Sequence, residues 1–71
     1  MDYNYSKLRG AIKEHYGNQV DFARSMGMSP TTLSLKLNNE SDWTQAEMSR
    51  AMDLIGIETS EVPAYFFAPM V

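Results

Sequence analysis

The sequence contains no cysteine. Disulfide staples, thiolate nucleophiles and cysteine-based zinc sites are therefore excluded, and the absence suits a reducing compartment. It has one histidine, His15, next to Tyr16. One histidine without a cysteine completes neither a nucleophile–base–orienter set nor a convergent set of metal ligands. The chain is therefore expected not to be an enzyme and to need no cofactor or metal, and His15 reads as a structural or solvated side chain. Gly27 stands alone rather than in a phosphate-cradling loop. No apolar run approaches the about 20 residues that span a bilayer, so no membrane is expected. The opening MDYNYSKLRG lacks the apolar stretch of a signal peptide.

Cations are also scarce. Six Lys and Arg face nine Asp and Glu, a net charge of −3. That total argues mildly against a nucleic-acid partner, but the distribution is uneven. Residues 1–39 hold Lys7, Arg9, Lys13, Arg24 and Lys36 against Asp2, Glu14 and Asp21. Residues 40–71 hold only Arg50 against Glu40, Asp42, Glu47, Asp53, Glu58 and Glu61. A first half facing phosphate and a second half facing away would produce this asymmetry. So would a scatter of few charges.

What is present is apolar material at helical spacing. Hydrophobic residues make up 44% of 71 residues, which is ordinary for a globular chain. The length corresponds to one domain over residues 1–71. A domain this small needs well-formed helix packing or a partner chain. Leu8, Ala11, Ile12 and Tyr16 predict a first helix over 6–16, stopped by Gly17. Asn18 fits an N-cap for a second helix carrying Phe22, Ala23 and Met26, closed by Gly27. Ser29 caps a third helix with Pro30 at its first position, running to about Leu37 before Asn38-Asn39. Thr44-Gln45-Ala46-Glu47 is a capping box, with Trp43 and Met48 as a hydrophobic staple. Met48, Ala51, Met52 and Ile55 line that fourth helix, and Gly56 ends it. Ser60 is expected to cap a last short turn, with Pro63 near its start. The tail 64–71 is apolar and has no periodic partner. The expected fold is all-α, a compact domain of four to five helices.

The segment 19–38 carries the functional signal. Two short helices joined by a tight glycine turn match a helix-turn-helix. Ala23 supplies the small residue where the helices cross. On a helical wheel with Leu33 facing the core, Thr31, Thr32, Ser34, Leu35 and Asn38 face outward. A solvated face usually carries Lys and Glu. Short hydroxyls let a helix approach base-pair edges, and threonine methyls and a leucine suit thymine methyls.

QVDFARSMGMSPTTLSLKLNN, residues 19–39, resembles the helix-turn-helix of phage Cro and repressor proteins, the broad lambda-repressor-like family. The opening Gln19, small Ala23, turn Gly27 and apolar Leu33 carry the resemblance, which covers residues 6–57. More narrowly, YSKLRG at 5–10, LSLKLNN at 33–39 and YFF at 65–67 resemble a group of small phage Cro-like proteins, over nearly the whole chain. The resemblance implies a five-helix lambda-repressor-like domain, cytoplasmic in a bacterial host cell, that binds a double-stranded DNA operator and is usually dimeric. It implies base reading by Pro30, Thr31, Ser34 and Leu35, to which the wheel adds Thr32. It implies backbone contacts by Gln19 and Asn38. Lys36, Arg24 and Asn39, beside the motif, are the further candidates for DNA phosphates. Lys36 stands where the family often has an apolar residue, and Leu37 is expected to replace it in the core. Pro30 stands where many relatives carry a polar base-reading side chain.

Two functions follow as expectations. The first is a sequence-specific DNA-binding transcription regulator that places helix 30–37 in the major groove. The second is the same fold reused to bind protein, as an antirepressor would, through the acidic second half and the apolar tail. Lys7, Arg9 and Lys13 serve either as phosphate clamps or as a solvated face. Trp43 reads as a core anchor and the six methionines as core filler. The tail either folds back on the core or pairs with a second chain as a homodimer.

Overall fold

A computed structural model describes residues 2–70. Among them the order is α1 (Ser6–Tyr16), α2 (Gln19–Met26), α3 (Pro30–Leu37), α4 (Gln45–Ile55), a 3₁₀ turn (Thr59–Glu61) and α5 (Val62–Phe66). The fold is all-helical, as expected.

The helix ends follow local chemistry. The Asn18 side chain accepts from Asp21 N, and Ser29 Oγ accepts from Thr32 N. Thr44 and Glu47 form the complete capping box. α2 stops in a Schellman pattern: Met28 N–H donates to Ala23 O and Gly27 N–H to Arg24 O. That pattern needs a left-handed residue, and Gly27 supplies it at φ 75°. The last turn differs from expectation. Glu58, not Ser60, precedes the 3₁₀ turn, and it exchanges capping bonds with Glu61. Pro63 falls in the first turn of α5, where its missing N–H leaves no bond unmade.

The core gathers one stripe from each helix. Leu8, Phe22 and Leu33 are fully buried, with Ile12, Leu37, Ala51, Ile55 and Phe66 around them. α2 packs most extensively on α3, and α1 packs on α2, α4 and α5. Burying one such large side chain contributes about 1.5–3 kcal/mol. The tail does fold back. Phe66 is only 1% exposed. Beyond it, Asn4 N–H donates to Ala68 O at 2.8 Å, and Tyr3 bridges Pro69 in antiparallel fashion. The two ends of the described chain therefore hold each other. Phe67 and Met70 remain exposed. Among the described residues no helix is long and apolar enough to cross a membrane.

Candidate recognition surface on helix α3

α3 has a sharply divided circumference. Leu33, Lys36 and Leu37 point inward, following the i, i+3, i+4 spacing that puts residues on one face. Pro30, Thr31 and Asn38 are exposed, and Leu35 is 40% exposed. Thr32 and Ser34 are half-buried at the flanks. The outward face expected from the wheel is thus the outward face of the structure. Ser29 Oγ also donates to Thr32 Oγ1 at 2.9 Å, which fixes the first turn. At the other end Asn38 Nδ2 donates to Ser34 Oγ at 3.3 Å, and Arg9 Nη2 donates to Asn38 Oδ1 at 2.7 Å. The same guanidinium nitrogen donates to Leu37 O at 3.0 Å. Arg9 thus satisfies a carbonyl left free at the helix C-terminus, where a cation is favoured.

Lys36 is where the structure departs from the sequence reading. It was expected at phosphate, with Leu37 taking its place in the core. Both are buried, and Lys36 is only 5% exposed. Its Nζ donates to Asp42 O at 2.7 Å and lies 2.9 Å from Glu47 Oε1. Glu47 Oε1 also accepts from Thr44 N–H at 2.8 Å. One carboxylate therefore caps α4 and neutralises a lysine from α3. Burial alone would raise the Glu47 pKa. The Thr44 N–H bond and the Lys36 ammonium outweigh it, and the carboxyl is held below its usual value. Lys36 is thus turned into the fold and not presented to solvent.

Asn39 is committed in the same way. Its backbone lies at φ 63°, and Glu40 N–H donates to Leu35 O across it, so Asn39 closes α3 as the left-handed residue. Its side chain accepts from Tyr3 N at 2.8 Å and donates to Tyr3 O at 2.9 Å. Both functions of the amide are used in tying α3 to the N-terminal strap. Arg24 stays exposed and pairs with Asp21 at 3.4 Å. Gln19 is half-buried at the start of α2. The surface of the α2–α3 unit is therefore short, nearly neutral and rigidly capped.

The sequence profile of a family described as "Protein of unknown function (DUF739)" matches residues 1–69. The chain belongs to the DUF739 family. This DUF739 member is also similar to a solved structure, the modulator of repression (MOR) of the temperate bacteriophage TP901-1 from Lactococcus lactis. The two are 42% identical, with a TM-score of 0.83 over 94% of this chain and 90% of that one. No curated protein matches the chain.

Two features of this DUF739 member went unread in the sequence. The Lys36–Glu47 pair had a signal, since Lys36 shares its spacing with Leu33 and Leu37. The Asn39–Tyr3 link had none, because its partners lie 36 residues apart.

Proposed function

We propose that this protein regulates repression by binding another regulator protein. The observation that carries this reading is the burial of Lys36 against Glu47. With it, the best-placed cation of the α2–α3 unit is spent inside the fold. Arg9 is spent on the end of α3, and Arg24 stands beside Asp21. DNA affinity rests mostly on Lys and Arg neutralising phosphates. A unit with so few free cations is a weak phosphate binder, whereas acidic residues 40–71 complement the basic DNA-binding surface of a repressor. The similarity to a phage modulator of repression supports a role in the regulation of repression.

A second reading keeps the helix-turn-helix role on DNA. The outward Thr31, Ser34 and Leu35 on a firmly capped helix favour it. Homodimerisation through exposed Phe67 and Met70 belongs to this reading, since paired half-sites require paired domains.

One experiment separates the two. The protein is mixed with a purified phage repressor that has a basic DNA-binding surface and run by size exclusion, and it is titrated alone against that repressor's operator DNA at several salt concentrations. A complex with the repressor and no operator binding at low salt is the expected result. Operator binding by this protein alone, steep in salt and lost with scrambled DNA, would replace the first reading with the second.

A further inference from the structure

A cavity of 330 Å³ opens where the N-terminal strap, the loop before α4 and α5 meet. Ligand pockets run from about 300 to 1,000 Å³, and this one lies at the small end, with room for one long side chain. It is lined by Tyr3, Tyr5, Trp43, Phe66 and Phe67, together with Asp42 and Met48. The rings brace one another. Tyr3 stands edge-on to Phe67 at 5.5 Å and to Tyr5 at 6.4 Å, and Trp43 stands edge-on to Phe66 at 5.1 Å. This is a preformed set of aromatic walls rather than a collapsed cluster.

Asp42 is held there by its backbone. Its carbonyl accepts from the buried Lys36 ammonium, while its side chain is exposed. Among the described residues that carboxylate has no ion-pair partner. The nearby Lys36 charge is already matched by Glu47. The Tyr5 hydroxyl has its pKa raised, first by burial and then by Tyr3 and Asp42, so the carboxylate's field reaches the cavity wall. Aromatic faces attract cations, and a carboxylate beside them adds a charge-assisted bond. Guanidinium fits both, because it is planar, stacks on rings and pairs bidentately with carboxylate.

We propose that this aromatic cavity, which Asp42 also lines, receives an arginine side chain of the protein partner. The proposal rests on the protein-binding reading above and gives that reading an anchor point. Trp43 is the sole tryptophan, so its fluorescence reports on the cavity directly.

The test titrates the whole protein with N-acetyl-arginine amide while following Trp43 emission. A saturable change is expected, weaker with the lysine analogue and absent with neutral N-acetyl-citrulline amide. Asp42→Asn keeps the backbone carbonyl that Lys36 uses, so circular dichroism should be unchanged. The arginine probe should then bind about tenfold more weakly, as expected for losing one charge-assisted bond. Tyr3→Leu should weaken it as well. An equal response to citrulline, or wild-type affinity in Asp42→Asn, overturns the proposal. Size exclusion with the repressor separates the two levels. Arginine binding without a repressor complex sinks the protein-partner reading alone. A repressor complex as tight with Asp42→Asn as with wild type sinks the arginine anchor alone.

Discussion

Residues 19–39 and residues 58–70 are held in place by opposite means. In the first segment most helix ends close on a neighbour three to five residues away: Asn18 on Asp21, Met28 on Ala23, Ser29 on Thr32, Glu40 on Leu35. In the second, the Glu58–Glu61 turn and the Phe67 N–H bond to Pro63 O close locally, but they do not place the segment. Its position comes from Phe66 in the core and from the strap contacts of Tyr3 and Asn4. A segment of the first kind can be read from the sequence and presents a rigid surface. A segment of the second kind takes its shape from the rest of the molecule, and through Phe66 and Phe67 it supplies part of the aromatic cavity.

The sharpest way to break this contrast is to remove one core side chain from each segment. Leu33→Ala and Phe66→Ala both empty a fully enclosed position. Large-to-small changes of this kind cost about 2–5 kcal/mol for leucine and 3–5 for phenylalanine. A domain this small has about 3–5 kcal/mol in total. Both variants should therefore be largely unfolded by urea titration without denaturant. If Phe66→Ala were as stable as wild type, the tail would be an appendage and not part of the core.

The next effect concerns the pair that joins α3 to α4. Lys36→Met keeps the apolar stem and removes the charge, leaving Glu47 with its capping bond to Thr44. Breaking a fully buried pair costs about 3–5 kcal/mol, and Glu47 is partly solvated, so a loss of about 1–3 kcal/mol in urea unfolding is expected. DNA titration sharpens the result. A lysine confined to the fold leaves the salt slope of any residual DNA binding unchanged, whereas a phosphate contact would lower it by about 1.

The sequence made most of the first segment legible because caps and stops are short-range codes. Gly17, Gly27 and Gly56 all adopt the positive φ that their places after helical runs suggested. The outward face of α3 was legible from periodicity alone. The burial of Lys36 was legible as well, since its spacing from Leu33 places it inward even though its charge argues for the surface. Asn39 was legible only in part. Its place after a helical run suggested a stop, but its side-chain partner is Tyr3, and no local pattern announces a contact across 36 residues. The same holds for the aromatic cavity, whose walls come from residues 3–5, 42–48 and 66–67.

Asn39 and Asn38 make a matched test of that difference. Asn39→Ala loses two bonds to Tyr3 and replaces a residue that tolerates the left-handed backbone region with one that tolerates it less. A cost of about 1–2 kcal/mol is expected from these together. Asn39→Gly should recover the backbone part but not the bonds. Asn38→Ala removes exposed bonds to Arg9 and Ser34 and should cost less than about 1 kcal/mol. Equal losses at the two positions would mean that the strap linkage contributes nothing to stability.

The smallest effect should appear in acid. The Glu47 carboxyl is held below its ordinary value by the Thr44 N–H and the Lys36 ammonium, against its own burial. A depressed carboxyl binds its proton more weakly in the folded state than in the unfolded one. Its contribution is therefore fully present above the unfolded value, about 4.3, and is lost as pH falls through the folded value. Urea midpoints measured from pH 6 down to pH 3 should decline in wild type. Lys36→Met removes one of the two groups that depress the carboxyl, so its decline should be shallower from a lower starting point. Parallel declines in the two proteins would show that Lys36 does not favour the ionised Glu47, and that the pair joining α3 to α4 is a matter of proximity and not of charge.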